Sequence, residues 1–433
     1  MVERTQLSKG LTWKVALAAV IGTVLDYYDL FIFSVAAATV FSTLFFPQSN
    51  PAAATALSLA TIGIIYFTRP LGAAIFGHIG DRIGRRTTLM WTLILMGVGM
   101  LGIGFAPTYA VAGMAGVIVV SVSRLVQGIG LGGEYGNAVA LLAEHAGKRR
   151  CLWSSLIWAS VAVGSLLASL LFTFTVILSG GVTTPLFIDY AWRILFFFGA
   201  AVVVVAGAIR YAITESPAFQ SLQRKGAVER SPAFMVLKEQ WSKILRFSII
   251  GVFGIPAVIV IPFITAYEIA LGMPVALVTL AMSIGALVSV FTCILGGYLG
   301  DVIGRRNVVL IAAVLSILML YPLLLLLNTK SFLPVALAAS LAVGLPFFGD
   351  GALNALLAEG FPTRRRASGV GLSYNFMTLI AAILASAVYP VIIGSYGIVS
   401  SIPYLLTVFA ILCILSASLL LRTKETKDAE LTE

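Results

Sequence analysis

Long, uninterrupted apolar runs constrain the fold of this chain more than any other feature of its sequence. Each run is about twenty residues long, the length of a helix that crosses the hydrocarbon core of a bilayer. A membrane β-barrel is excluded because its strands alternate apolar and polar residues over about ten positions. A water-soluble globule is excluded because only 11% of the 433 residues are charged, against about 25% in soluble domains. The sequence therefore predicts an all-α membrane protein.

Twelve such runs are present, and they predict twelve transmembrane helices. The longest interior polar stretch follows the sixth run and divides the chain near its midpoint. We therefore predict an N-terminal six-helix bundle over 1–212, a cytoplasmic linker over 213–245, and a C-terminal six-helix bundle over 246–433 that ends in a short cytoplasmic tail. The runs lie near 14–42, 54–78, 88–106, 110–142, 152–178, 192–212, 246–269, 275–299, 307–327, 333–357, 368–393 and 400–421.

The distribution of lysine and arginine predicts how the chain is oriented. Membrane proteins retain these residues on their cytoplasmic side. If the N-terminus is cytoplasmic, 24 of the 28 fall in the two termini, the linker and the loops after runs 2, 4, 8 and 10, whereas only Arg193 and Lys330 fall outside. Both termini are therefore expected in the cytoplasm, in a multi-pass protein of the inner (plasma) membrane that contacts the lipid bilayer. The net charge of +10 then requires no nucleic-acid partner.

A basic loop motif occurs once in each half of the chain. GHIGDRIGRR (Gly77–Arg86) follows the second run, and GYLGDVIGRR (Gly297–Arg306) follows the eighth. A single copy could be a short basic turn that only retains charge in the cytoplasm. Two copies at equivalent places instead favour a gate that locks the two bundles together on the cytoplasmic side. The predicted gate residues are Gly77, Asp81, Arg82, Gly84, Arg85, Arg86, Asp301, Arg305 and Arg306.

This motif, its repetition and the twelve-run plan resemble the major facilitator superfamily. Further stretches resemble its metabolite:proton symporter family: DYYDLFIFS (26–34), FTRPLGAAIFGHIGDRIGRR (67–86), RLVQGIGLGGEYGNA (124–138) and FPTRRRASGVGLSYN (361–375). The resemblance implies two pseudo-symmetric six-helix bundles and proton-driven transport of small metabolites, such as α-ketoglutarate, citrate, shikimate, proline or betaine. The chain departs from the family at Asp26 and Tyr27, where Glu and Trp are usual.

Acidic residues inside the apolar runs are candidates for proton coupling. A charged side chain at the centre of a membrane helix costs about 2.5–3.5 kcal/mol even on the most lenient scale. Asp26 and Asp29 are three residues apart and share one face of the first run, and two like charges this close favour protonation of one of them. Glu134 in the fourth run is a candidate for proton relay. The alternative for each carboxylate is a permanent ion pair with an arginine.

Two arginines lie near the middle of the membrane, Arg69 in the second run and Arg124 in the fourth. Arginine remains charged when desolvated and binds a carboxylate with two parallel hydrogen bonds. Both are therefore candidate substrate-binding residues, although an internal pair with an aspartate would also explain them. Gln127 lies one turn from Arg124 on the same face. Polar groups that could hold the rest of a substrate are Tyr27, Tyr374 and Asn375.

These features predict a transporter rather than an enzyme. Motifs for nucleotide binding or for an intramembrane hydrolase are missing from the sequence, and we predict no cofactor and no metal. The first hypothesis is a monomeric proton symporter that imports a small organic carboxylate, such as a di- or tricarboxylate or hydroxy acid, by alternating access. The second is a proton symporter of a zwitterionic solute such as proline or betaine. A non-transporting membrane sensor is a third class, but it would not need charges on the central faces of two helices.

Overall fold

The structure is a computed structural model that describes residues 9–46, 51–254 and 256–427, and the described residues form helices and short connections. Each predicted run falls on a long helix or on two helices in close succession. The long helices are α1 (Lys9–Ala36), α2 (Pro51–Ile83), α3 (Arg85–Phe105), α4 (Met114–His145), α5 (Arg150–Ser179), α6 (Trp192–Tyr211), α7 (Trp241–Gly251 and Pro256–Ala270), α8 (Val275–Ile303), α9 (Arg305–Leu318 and Leu320–Leu327), α10 (Phe332–Gly360), α11 (Arg366–Ile383 and Tyr389–Tyr396) and α12 (Ile402–Leu421).

Within the described residues, nine of these helices are each long and apolar enough to cross a membrane. The two parts of α9 meet at an angle of 47° and together form a tenth. The remaining two are α2, whose 33 residues include Arg69 and the first copy of the gate motif, and α7, which a short 3₁₀ turn at Val252–Gly254 divides. The two helices that do not meet the criterion of length and apolar composition are therefore one with charged residues, α2, and one with a break, α7.

Glycine ends the helices at both copies of the gate motif. Gly84 separates α2 from α3 with a φ of +128°, and Gly304 separates α8 from α9 with a φ of +108°. Only glycine adopts such angles without strain. A glutamate from the end of each half then accepts hydrogen bonds at the start of the next helix: Glu215 from the backbone N–H of Arg85 at 3.0 Å, and Glu425 from that of Arg305 at 2.8 Å. The two halves thus repeat each other in detail.

The N-terminal half (α1–α6) packs against the C-terminal half (α7–α12) along two seams. α11 lies against α2 and α4, and α5 lies against α8 and α10. At the first seam a Cβ added to Gly136 would lie 2.6 Å from the Cα of Gly371, so the backbones of α4 and α11 touch directly. Small residues permit this close approach between helices.

The polar linker forms two short helices, Pro217–Arg224 and Pro232–Glu239. Ser216 caps the first of them by accepting a hydrogen bond from the N–H of Phe219 at 3.1 Å. Helix α7 begins at Trp241, so five residues that the sequence assigns to the linker belong to this helix. The linker lies at the end of the molecule that carries both gate motifs, which we call the motif end.

Candidate functional site

Asp26 and Arg69 form a buried ion pair between α1 and α2. The Oδ2 atom of Asp26 lies 2.5 Å from Nη2 of Arg69, and each side chain is at most 6% exposed. The Nε atom of Arg69 donates to Oδ1 of Asn375 on α11 at 3.2 Å. The pair therefore lies at the seam between the two halves. Arg69 donates to Asp26 in its own half and to Asn375 in the opposite half.

Asp29 forms a separate pair with Arg124, between α1 and α4. Arg124 donates from Nη1 to Asp29 at 2.7 Å and to Gln127 at 2.7 Å, and Gln127 donates to the other carboxylate oxygen of Asp29 at 2.9 Å. The guanidinium lies 3.5 Å from the centre of the Phe33 ring. Asp26 and Asp29 thus each face an arginine of their own, so the repulsion expected between the two carboxylates is offset on both sides.

Two donors of Arg124 remain unused. Its Nε and Nη2 atoms are buried and have no hydrogen-bond partner among the described residues. A buried donor that lacks an acceptor costs free energy. Arg124 therefore has donors with which it could bind a further acceptor.

Glu134 forms the third pair, with Arg210 of α6. Arg210 donates to both carboxylate oxygens, at 2.9 Å from Nη1 to Oε2, and Thr92 donates to Oε2 at 2.7 Å. Of the two possibilities that the sequence left open for Glu134, this structure contains the ion pair. Arg210 is completely buried and also donates to the carbonyls of Ala18 and Leu89.

Aromatic and amide side chains complete the seam above the ion pairs. The ring of Tyr374 on α11 stacks on that of Tyr135 on α4, with centroids 3.4 Å apart and an angle of 8° between the planes. Arg69 lies 5.8 Å from the centre of the Tyr374 ring, and Tyr27 is buried beside the same tyrosine. Of the residues predicted from sequence, Asp26, Arg69, Tyr27, Tyr374 and Asn375 meet in one cluster, which we call the seam cluster.

Tyr135 and Asn354 are part of the seam, although neither is among the site residues predicted from sequence. The hydroxyl of Tyr135 donates to Oδ1 of Asn354 on α10, and Asn354 donates to the carbonyl of Ser154 on α5 at 2.9 Å. Trp158 of α5 adds an edge contact to Phe347 of α10, with centroids 5.7 Å apart. A sequence signal does exist: Tyr135 lies within GGEYGNA, where small residues allow the helices to approach.

At the motif end, the aspartate of each gate motif binds a helix of the opposite half. Asp81 accepts from the backbone N–H groups of Ala367 at 3.0 Å and Ser368 at 2.8 Å, at the start of α11. Asp301 accepts from those of Cys151 at 3.2 Å and Leu152 at 3.0 Å, at the start of α5. A carboxylate at a helix N-terminus satisfies free N–H groups and interacts favourably with the helix dipole.

Some arginines and glycines of the gate motifs contact the opposite half of the molecule, and others contact only their own half. Arg85 crosses between the halves by donating to the carbonyl of Thr363 at 2.5 Å, and Gly77 allows α2 to lie close to Ser368. The other arginines and glycines of the motifs stay within their own half. Arg86 and Arg306 bind carbonyls at the ends of α6 and α12, and Arg305 binds Glu359. Arg82 is exposed, and Gly84 forms the turn described above.

A buried glutamate backs each gate. Glu144 binds Arg366 at 2.7 Å and Arg85 at 3.3 Å, and Glu359 binds Arg150 and Arg305, each at 3.2 Å. The network links α2, α4 and α11 on one side and α5, α8 and α10 on the other. In this structure the motif end is therefore closed.

Two helical halves that close at one end around buried ion pairs define a membrane transporter with internal symmetry. The chain belongs to the Major Facilitator Superfamily, since the sequence model of that family matches residues 19–386.

Named relatives and a solved structure support this assignment along nearly the whole chain. A putative metabolite transport protein of Haemophilus influenzae is 34% identical over 97% of this chain and 98% of its own. The shikimate transporter of Escherichia coli is 30% identical over 98% and 97%, and the proline/betaine transporter of the same species is 28% identical over 93% and 82%. The proton:xylose symporter XylE has a similar fold, with a TM-score of 0.79 at 18% identity over 98% of both chains. The predicted fold is confirmed.

Proposed function

We propose that the protein is a proton-coupled symporter that imports a small organic carboxylate across the inner membrane by alternating access. The observation that carries this proposal is the Asp29–Arg124 pair, which is completely buried yet leaves two arginine donors without an acceptor. A substrate carboxylate supplies the acceptor that these donors lack. The name of the shikimate transporter, a relative whose substrate is a hydroxy acid, supports the same class of solute.

Proton and substrate depend on each other at this site for an electrostatic reason. Removing one charge of a buried ion pair costs about 3–5 kcal/mol, because the partner is left without compensation. A proton on Asp29 alone would strand Arg124, and a substrate carboxylate alone would add a second negative charge to the pair. Binding both keeps the charge balanced, so the two ligands are favoured together.

The seam cluster contributes the contact between the halves. Arg69 holds Asp26 of α1 and Asn375 of α11 at once, so a proton on Asp26 or a ligand on Arg69 changes the contact between the two halves. We assign the motif end to the cytoplasm, where the basic loops belong, and assign the gate role to Asp81, Asp301 and Arg85. Because Arg210 holds Glu134 in an ion pair, Glu134 can bind a proton only when that pair opens.

A second candidate keeps the mechanism and changes the solute to a zwitterion such as proline or betaine. The observation that favours it is the presence of carboxylates and arginines on one helical surface, Asp26 and Asp29 of α1 facing Arg69 and Arg124. A zwitterion carries both charges that such a surface attracts. The proline/betaine transporter among the relatives supports this alternative.

Uptake by the purified protein in proteoliposomes tests the proposal. Labelled shikimate and labelled proline are offered with and without an inwardly directed proton gradient, and the gradient should drive accumulation of one of them. Asp29→Asn should abolish the response to the gradient, and Arg124→Lys should weaken substrate binding because lysine cannot form the two parallel bonds. Arg193→Lys is the matched control, because the described contacts of this arginine are backbone carbonyls and Trp192. Accumulation that ignores the gradient in the wild type would overturn the proposal.

A further inference from the structure

Asp350 is a buried carboxylate in the C-terminal half that the proposed mechanism does not use. It lies on α10 and has no measurable exposure. Neither carboxylate oxygen has a hydrogen-bond partner among the described residues. Asp26, Asp29 and Glu134 each have an arginine, whereas Asp350 and Glu268, which lies near the end of α7, have no described partner for either carboxylate oxygen.

Among the described residues, no positively charged side chain faces Asp350. The titratable groups that face it are Cys293 of α8 and Tyr135 of α4, both of which are neutral. From α5, α7, α9 and α11, no lysine, arginine or histidine in the described part of the chain faces it. A carboxylate without a counter-charge or a donor is expensive inside a protein, and it avoids this cost by binding a proton.

A comparison with Glu134 shows what Asp350 lacks. When Glu144 and Glu359 are aligned, Asp350 matches Tyr135 rather than Glu134, so the two carboxylates have similar settings but are not equivalent by symmetry. A methyl group added to Gly254 of α7 would overlap its carboxylate, and one added to Gly22 of α1 would overlap that of Glu134. In each half, therefore, a carboxylate on the fourth helix lies against a glycine on the first. Glu134 has Arg210, but when the capping residues Glu215 and Glu425 are aligned, the position of Arg210 is occupied by Leu420, a fully buried leucine.

The residues around Asp350 also provide a way for the proton to leave. Asn354 lies one turn closer to the motif end on the same face of α10, and its bonds to Tyr135 and to the carbonyl of Ser154 join the two halves there. Phe347, one turn in the other direction, contacts Trp158. Opening of the motif end would separate these contacts between the halves and would admit water to Asp350 from that side.

We propose that Asp350 is a second proton-binding site, which holds a proton while the motif end is closed and releases it when that end opens. This inference rests on the proposed symport function and adds one transported proton to it. The transfer is a simple acid dissociation: the O–H bond of the carboxylic acid breaks, water takes the proton, and the carboxylate keeps the electron pair.

Two measurements on the reconstituted full-length protein test this proposal. The first is the number of protons carried per labelled shikimate or proline, obtained from the membrane potential that just balances the substrate gradient. Asp350→Asn, which has the shape of the protonated acid, should lower this number by one while uptake continues. Glu268→Gln, at another buried carboxylate without a described partner on α7, is the control and should leave it unchanged.

The second measurement needs no substrate and reports on the proton directly. Infrared spectra of the wild type at neutral pH should contain the carbonyl band of a buried carboxylic acid, and Asp350→Asn should remove that component. An unchanged proton number in the variant, or an unchanged infrared band, would overturn the inference. A wild type that carries no protons at all would instead overturn the proposed symport function, so the two failures are distinguishable.

Discussion

The two halves of the molecule share a fold but divide the chemistry unequally. Away from the motif end, the described N-terminal half contains three buried carboxylates, Asp26, Asp29 and Glu134, and each is paired with an arginine. In the described interior of the C-terminal half, Asp350 and Glu268 have no hydrogen-bond partner, and the groups that reach the seam are tyrosine, asparagine and phenylalanine. The difference teaches that fold symmetry and charge symmetry are independent: the gates repeat, whereas the ion pairs do not.

The largest effect should come from removing an arginine of the N-terminal half. Arg124→Ala leaves Asp29 buried with only Gln127 as a partner, which should cost about 3–5 kcal/mol of stability and abolish uptake. Thermal unfolding and proteoliposome uptake measure the two effects. The double variant Asp29→Asn/Arg124→Ala should recover most of the stability without recovering uptake. If the double variant is as unstable as the single, the pair is not the source of the cost.

A second substitution makes the N-terminal half resemble the C-terminal half. Glu134→Gln should destabilise the protein by about 3 kcal/mol because Arg210 keeps its charge in a buried site. Adding Arg210→Leu, the residue found at the aligned position 420, should restore much of that stability. Thermal unfolding of the two variants compares these outcomes directly. A double variant that remains as unstable as Glu134→Gln would show that the two halves pack differently around this position.

The gates should respond alike because they are built alike. Asp81→Asn and Asp301→Asn each remove the charge from a helix cap, which should weaken closure of the motif end by about 1–2 kcal/mol, or about tenfold in population. Distances between spin labels on cysteines that replace two exposed motif-end residues, Arg82 near the end of α2 and Arg364 in the turn before α11, measure this closure. A shift for one aspartate only would show that one gate dominates.

The smallest effect should come from the uncharged side of the seam. Tyr374→Phe keeps the stacking on Tyr135 and the contact with Arg69, and removes only a hydroxyl. Loss of one such hydrogen-bonding group should change the free energy of substrate binding by about 0.5–1.5 kcal/mol. The expected result is a rise in KM of several-fold with an unchanged response to the proton gradient. Loss of that response would move Tyr374 into the group of proton-coupling residues.

Much of the fold follows from the sequence because the bilayer allows few solutions. Runs of about twenty apolar residues must be helices, and the repeated motif places Asp81 and Asp301 at equivalent points. The presence of Asp26 and Arg69 in apolar runs also predicts that they meet polar groups inside the protein. Each of these inferences needs only the residues within short segments of the chain.

The parts that the sequence did not predict depend on partners distant in the chain. Arg210 lies near the end of an apolar run, where a basic residue normally reaches the cytoplasm, and only the position of Glu134 shows that it turns inward. In the same way, Arg85 crosses to the opposite half whereas Arg86, its neighbour, does not. Helical periodicity states which face a residue lies on, but not which helix covers that face.

The contact between Gly136 and Gly371 has a mechanical consequence. Helices that meet through large side chains interlock, and sliding them requires each side chain to leave its groove. Here α4 and α11 meet backbone to backbone at Gly136 and Gly371. At this contact no large side chain has to leave a groove when one half rotates against the other. The same two helices carry Tyr135 and Tyr374. A rotation at the glycine contact would therefore slide their stacked rings across each other.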